Sequence, residues 1–230
     1  MPHRVKPLPG LKAQAGCTRA GDTHSPPPPT PCCSSFFPHL LAANQPQLAG
    51  FSHWLFHPGM LFQAPQQWWG QAKPRPTPHE GLDLCWFMDL TGHRRSLDQT
   101  TLIPAPFAGR VIQLSPDFLG QSIYLIHDQP LADGRLLLAA FGHTLPSAAL
   151  SAGSQVGQGD VIAAIAPAGR RRTTVPPHVH ITLAMLSPDY APADLSWPQL
   201  GSSTNVLLLD PLVVCPTTFQ VLSAGPSEVT

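Results

Sequence analysis

Short runs of alternating apolar and polar residues, separated by turn residues, dominate the chain from Lys73 onward. This spacing is typical of strands in an antiparallel sheet, and no long segment with the 3.6-residue period of a helix competes with it. Six strands are predicted, over residues 82–87, 109–114, 122–127, 135–141, 160–166 and 178–185. The pattern predicts a mainly β domain, a small antiparallel β-sandwich or partly open barrel, over residues 76–215.

The segments that flank this domain differ from it in composition. Residues 1–50 include a proline-rich stretch around residues 26–31, and we expect a disordered tail because such a segment buries little apolar area. Residues 51–75 carry Trp54, Trp68 and Trp69, which predicts an aromatic, extended arm that packs against the domain. Residues 216–230 are expected to form a C-terminal tail.

Charge and cysteine content exclude several classes of protein. Lys plus Arg and Asp plus Glu both number 13, so the chain lacks the basic footprint of a nucleic-acid binder. No apolar run approaches the roughly 18 residues that a membrane-spanning helix needs. The five cysteines form no C-x-x-C pair, which argues against a thiolate zinc module. The chain also lacks the G-x-S-x-G motif of a serine hydrolase and a glycine-rich phosphate loop.

Two histidine motifs lie in the β-rich part of the chain. His79 and Asp83 are four residues apart, and Pro78 and Gly81 disfavour a helix there, so a strand is predicted to project Asp83 to one side. His178-Val179-His180 lies in another predicted strand, where residues two apart point to the same face. Burying two imidazoles on one face of a strand costs free energy unless their nitrogens bind a metal or form hydrogen bonds. This pair is therefore a candidate for metal binding or catalysis.

The two motifs together have the composition of a catalytic zinc site. His79, Asp83 and either His178 or His180 would supply two imidazoles and one carboxylate, which leaves a fourth position for water. Zinc lowers the pKa of bound water toward about 7 and polarises a carbonyl. The histidine of the pair that is not a ligand would stand beside this water as a general base.

These residues resemble the motifs of the lysostaphin/LytM-type zinc metallopeptidases, whose fold is related to the duplicated hybrid motif. The resemblance rests on His79-x-x-x-Asp83, Phe141-Gly142-His143 and His178-Val179-His180, in that order. It extends over about residues 76–215, with further likeness at residues 104–111, 120–127, 156–162 and 210–212. Phe141 stands where the family more often has tyrosine.

The resemblance implies a role for each residue. His79, Asp83 and His180 would be ligands of Zn²⁺, His178 the general base, and His143 the residue that orients the water or stabilises the oxyanion. The implied function is an endopeptidase that cuts peptide cross-links of bacterial peptidoglycan in a groove bounded by loops. We expect a monomer in the cell envelope or outside the cell, although no signal peptide is recognisable.

Several alternatives remain open at this point. A non-catalytic scaffold of the same fold would bind cell-wall material or activate another hydrolase, but such scaffolds typically lose zinc ligands. A biotinyl or lipoyl carrier domain needs a lysine at a hairpin tip, and the chain has none after Lys73. Glu80 and His127 are interpreted as surface or supporting residues, and Arg170–Arg172 as a solvated loop. The aromatic arm precedes His79 directly, so one hypothesis is that it covers the groove and inhibits.

Overall fold

The structure, a computed structural model, describes residues 35–167, 175–190 and 195–223, and the fold in these ranges is mainly β. The strands are β1 (Phe51–Phe56), β2 (Leu82–Leu84), β3 (Trp86–Asp89), β4 (Arg94–Ser96), β5 (Leu102–Pro104), β6 (Gly109–Pro116), β7 (Gln121–His127), β8 (Leu136–Pro146), β9 (Gln155–Val156), β10 (Val161–Ile165), β11 (Val179–Leu186), β12 (Val206–Leu209) and β13 (Phe219–Val221). The helices are α1 (Phe36–Ala43), α2 (Trp197–Ser202) and α3 (Pro211–Val214), with a 3₁₀ turn at Pro58–Met60.

The strands form a large sheet and a small one, which confirms the predicted β class; the large sheet is not a closed barrel. The path through the large sheet runs β12-β11-β8-β7-β6-β9, while β2 pairs with β11 and β10 bridges β8 and β5. The small sheet has the order β13-β1-β3-β4. Within it β1 pairs antiparallel with β3 and parallel with β13.

The alternation along β11 separates a core face from a polar face near the start of the strand. Val179, Ile181 and Leu183 pack into the main hydrophobic core, as odd-numbered residues of one strand share a face. On the opposite face, His180 and Thr182 are followed by Ala184 and Leu186, which pack into a second, smaller core. The polar end of that face is therefore the part of the strand that can form a functional site.

The single strand predicted over residues 82–87 is two strands that belong to different sheets. β2 pairs with β11 in the large sheet, whereas β3 pairs with β1 and β4 in the small sheet. The change occurs at Cys85, which is fully buried and donates its Sγ–H to the carbonyl of Pro177 at 3.3 Å. The sequence pattern cannot show this change, because the apolar run continues through it.

Residues 35–50 differ from the disordered tail expected there. Helix α1 buries Phe36, Phe37 and Leu40 in the main core. Pro38 lies in the first turn, where its missing N–H breaks no helical hydrogen bond. Asn44 then joins the helix to β5, since its side chain donates to the carbonyl of Leu102 and accepts from the Leu102 amide, at 2.8 and 2.7 Å.

The arm and the C-terminal segment are also more ordered than expected. Residues 51–56 of the arm are strand β1, and Trp54 is fully buried between Phe37 and Phe87. Residues 219–221, inside the expected C-terminal tail, form β13 alongside β1. Residues 1–34 of the expected tail and Arg170–Arg172 lie outside the described residues.

Candidate metal centre

The pairing of β2 with β11 places the two histidine motifs together. Asp83 lies directly opposite His180 in this antiparallel pair. Gly81, just before β2, passes so close to β11 that a Cβ atom there would lie 2.2 Å from the carbonyl oxygen of Ile181. Glycine is therefore needed for the two strands to approach, and the approach brings His79, four residues before Asp83, against His180 as well.

The three donor atoms of this cluster have the spacing of ligands around one small ion. His180 Nδ1 lies 2.8 Å from Asp83 Oδ1 and 3.1 Å from His79 Nε2, and His79 Nε2 lies 3.3 Å from Asp83 Oδ1. Ligands about 2.0–2.1 Å from a tetrahedral zinc ion are separated by about 3.3 Å. His79, Asp83 and His180 are all buried, so the residues present fit a zinc ion.

Hydrogen bonds behind the cluster fix which imidazole nitrogens face it. His79 Nδ1 lies 3.0 Å from the carbonyl oxygen of Leu61, which can only accept, so Nδ1 carries the proton and the lone pair of Nε2 faces the cluster. His180 Nε2 lies 2.8 Å from the hydroxyl of Thr182, which can accept its proton and leave Nδ1 free to bind a metal.

The two oxygens of Asp83 have different partners. Oδ1 faces His79 and His180, whereas Oδ2 accepts a hydrogen bond of 2.6 Å from the indole N–H of Trp68 and lies 3.5 Å from the Arg75 guanidinium. Burial works to raise the pKa of Asp83, but the charge and the hydrogen bonds that His79 and His180 supply when they are protonated outweigh it and hold the pKa well below its usual range. The carboxylate is therefore ionised, as a metal ligand must be.

His178 lies beside the three donor atoms. Its Nδ1 donates to the carbonyl of Pro176 at 2.9 Å, so the Nε2 lone pair points toward Asp83 Oδ1, 3.9 Å away. Burial lowers the pKa of His178 to about 4, against an opposing effect of the Asp83 charge. A neutral imidazole with a free lone pair can accept a proton.

His143 faces His178 across the site, with the ring centroids 4.8 Å apart. It has a positive φ of 63° and is held by Asp117, whose Oδ2 accepts the His143 backbone N–H at 2.7 Å. Asp117 Oδ1 lies 3.2 Å from His143 Nδ1, an electrostatic contact rather than a well-aligned hydrogen bond. Although burial opposes it, these contacts and the amide of Gly120 hold the pKa of Asp117 below its usual range.

A cleft of about 330 Å³ opens onto these side chains. Asp83, His143, His178 and His180 contribute polar atoms to it, and the remaining lining residues are Trp69, Arg75, Glu80, Asp117, Phe118 and Trp197. The ring of Trp197 packs edge-on against His180, with centroids 4.9 Å apart. The cleft thus combines three large aromatic side chains with charged and imidazole groups, and a mixture of apolar surface and polar atoms is typical of small-ligand and peptide clefts.

The structure brings all five sequence-predicted site residues together at one end of the large sheet. His127 lies apart from them, at the end of β7, where its ring packs on Phe107 and Nδ1 lies near Gln129. Glu80 lines the cleft. The sequence analysis did not identify the residues that contact the site residues and orient them. These are Leu61, Trp68, Arg75 and Asp117. For Asp117 a signal existed, since Asp117 to Gly120 has the composition of a turn before a strand.

Comparison with solved structures finds similar chains at low identity. LytU is 20% identical, with 68% of this chain and 83% of that chain covered and a TM-score of 0.40. Lysostaphin from Staphylococcus simulans is 18% identical, with 61% of this chain but 45% of that chain covered and a TM-score of 0.37. The catalytic domain of the prophage-encoded M23 protein EnpA from Enterococcus faecalis is 21% identical, with 53% of this chain and 79% of that chain covered and a TM-score of 0.33.

No family model matches the chain, and no curated protein matches it. Within the residues that the structure describes, no helix has the length and apolar character needed to cross a bilayer. The basis for assigning a function is therefore the geometry of the site, not the likeness to solved structures.

Proposed function

We propose that the protein is a zinc-dependent endopeptidase that hydrolyses peptide bonds, with bacterial peptidoglycan cross-links as its substrate. The observation that carries the proposal is the convergence of His79 Nε2, Asp83 Oδ1 and His180 Nδ1 within 3.3 Å of one another, beside a neutral histidine and under a cleft. A bound zinc ion would supply Lewis acidity and an acidified water molecule. These are the two requirements for attack on a peptide carbonyl.

The residues of the cleft would have three roles in hydrolysis: metal binding, proton transfer and stabilisation of the reacting groups. His79, Asp83 and His180 would hold the ion. Nε2 of His178 would accept the proton of the attacking water and deliver it to the leaving amine, so that the peptide and one water become a carboxylic acid and an amine, which then exchange a proton to give a carboxylate and an ammonium group. His143, opposite His178, would orient the water or stabilise the negative charge that develops on the carbonyl oxygen.

The choice of peptidoglycan as substrate depends on the likeness of the sequence motifs to lysostaphin/LytM-type peptidases. The dimensions of the site are compatible with it, because a cleft of about 330 Å³ with aromatic walls can hold a short peptide segment around the scissile bond. A cell-wall substrate would require the protein to work in the envelope or outside the cell. A single chain contributes every site residue described above, which is compatible with a monomer.

The experiment is release of new amino groups from purified peptidoglycan, with and without a zinc chelator. We expect release that the chelator stops and added zinc restores, and loss of both zinc and release in Asp83→Ala or His180→Ala. His127→Ala is a matched control, because His127 lies outside the cleft. A folded protein that holds zinc but releases nothing would contradict the proposal, and retention of such a protein on peptidoglycan would favour the scaffold alternative.

A further inference from the structure

The segment upstream of His79 provides hydrogen-bonding partners for two of the candidate metal ligands, His79 and Asp83. Trp68 and Asp83 are both buried, with 2% of each residue exposed, and the indole N–H lies 2.6 Å from Asp83 Oδ2. An indole nitrogen can only donate, so this is a short hydrogen bond from a neutral donor to an ionised carboxylate, one of the stronger kinds in proteins. The same indole packs edge-on against His178, with ring centroids 5.3 Å apart.

We propose that Trp68 is a positioning residue of the metal centre. By occupying Oδ2, its N–H leaves Oδ1 as the single oxygen that Asp83 presents beside His79 and His180. The inference rests on the proposed function, because it assigns this residue a role toward the same zinc site. It also changes the interpretation of the arm: residues 61–75 build the site, so their removal is expected to weaken zinc binding rather than relieve inhibition.

Backbone contacts show that this segment is fixed against the ligands. Gln63 donates to the carbonyl of His79 at 2.8 Å, and the amide of His79 donates to the carbonyl of Ala64 at 3.1 Å. Gly59 packs directly against the backbone of Trp68, and a Cβ at Gly59 would lie only 2.9 Å from the Trp68 amide nitrogen. The absence of a side chain at Gly59 therefore permits this close packing. The segment therefore holds Trp68 and the carbonyl that orients His79 in one arrangement.

Arg75 is a second partner of the same oxygen, Oδ2 of Asp83. Its guanidinium donates to the carbonyls of Gly59 and Gln66, at 3.2 and 3.3 Å, and lies 3.5 Å from Asp83 Oδ2. The longer distance identifies Trp68 as the closer partner of Oδ2. Loss of the indole N–H would leave this oxygen with the more distant partner alone, so that the carboxylate could rotate and turn Oδ2 toward the ion.

The test is the zinc affinity of Trp68→Phe, measured by competition with a chromophoric chelator on the full chain. Trp54→Phe is the matched control, because Trp54 is also a buried indole but its Nε1 has no hydrogen-bond partner among the described residues. We expect the zinc dissociation constant to rise about tenfold or more in Trp68→Phe, the usual effect of losing an outer partner of a ligand, and to stay near the wild-type value in Trp54→Phe.

Equal zinc affinity in the two variants would overturn the role of Trp68 while leaving the proposed function intact. A wild-type chain that binds no zinc would overturn the proposed function and this inference together. Should Trp68→Phe fail to fold, the indole N–H resonance of Trp68 in the wild-type protein provides the second measurement. We expect it to shift when zinc is added and to resist hydrogen exchange; a resonance that zinc leaves unmoved would overturn the inference.

Discussion

Replacing Gly81 with alanine should separate the two strands that carry the candidate metal ligands. The added Cβ would lie 2.2 Å from the Ile181 carbonyl oxygen, 2.8 Å from Thr182 Oγ1 and 2.9 Å from His180 Nε2. The nearest of these atoms belongs to the backbone of β11, so the conflict cannot be relieved by a rotamer change. Ordinary contact needs about 3.4 Å, and overpacking typically costs about 1–3 kcal/mol of stability.

The strands must therefore move apart by about 1 Å at the position where Asp83 faces His180. Metal–ligand distances tolerate about 0.2 Å, so a displacement of this size removes at least one ligand from reach. We expect the zinc dissociation constant of Gly81→Ala to rise by at least about 100-fold, with a folded chain at a somewhat lower Tm, since a lost ligand costs more than the tenfold to 100-fold effect of a lost outer partner.

The assay is chelator competition for zinc together with thermal unfolding of the zinc-free protein. Gly201→Ala is the control, because a Cβ at Gly201 would meet nothing within 4 Å and the residue lies in α2, where alanine favours the helix. Wild-type zinc affinity in Gly81→Ala would refute the claim that the close approach of the two strands sets the ligand geometry.

Two further predictions concern the residues beside the ligands. His178→Ala should retain zinc and lose most turnover, because Nε2 of His178 is the proposed general base and its Nδ1 already donates to Pro176; a variant that also loses zinc would show that His178 is a ligand. Asp117→Asn should lower the free energy of unfolding by about 1–3 kcal/mol at pH 7, because both oxygens accept backbone N–H groups and an amide can replace only one of them. Since the folded pKa of Asp117 lies below its unfolded value of about 3.9, this stabilisation is present above that pH and is lost as the pH falls through the folded pKa. In denaturant titrations, the free energies of unfolding of the wild type and Asp117→Asn should therefore differ most near neutrality. A difference that persists unchanged at pH 2 would contradict a stabilising role for the ionised Asp117 carboxylate.

The residues that face the cluster could be predicted from the sequence because strand geometry is local. Spacing of two in His178-Val179-His180 places both imidazoles on one face in any strand, and Asp83 projects from β2 for the same reason. Which of the two histidines is the ligand does not follow from spacing. In the structure His180 lies opposite Asp83, whereas His178 lies before the first residue of β11 and is oriented by Pro176.

The supporting residues could not be predicted because their contacts depend on the path of an irregular segment. Trp68 and Asp83 are 15 residues apart with no regular element between Met60 and Leu82, so no periodicity relates them. Helix α1 was not predicted from the sequence, for a different reason. Its eight residues have no acidic residue in the first turn and no basic residue in the last, and Ser35 makes no side-chain capping hydrogen bond, so tertiary burial of its two phenylalanines stabilises it instead.

The parallel pairing of β1 with β13 has a consequence for the order in which the protein folds. Trp54 pairs with Phe219 and Phe56 with Val221, so one edge of the small sheet is completed by residues that leave the ribosome long after the strands beside them. Contacts between such distant parts of a chain form slowly, because the loop between them must close first. The large sheet, whose central strands β6, β7 and β8 follow one another along the chain, can assemble earlier. The small sheet would then be completed last, after the strands that carry Asp83 and His180 have paired.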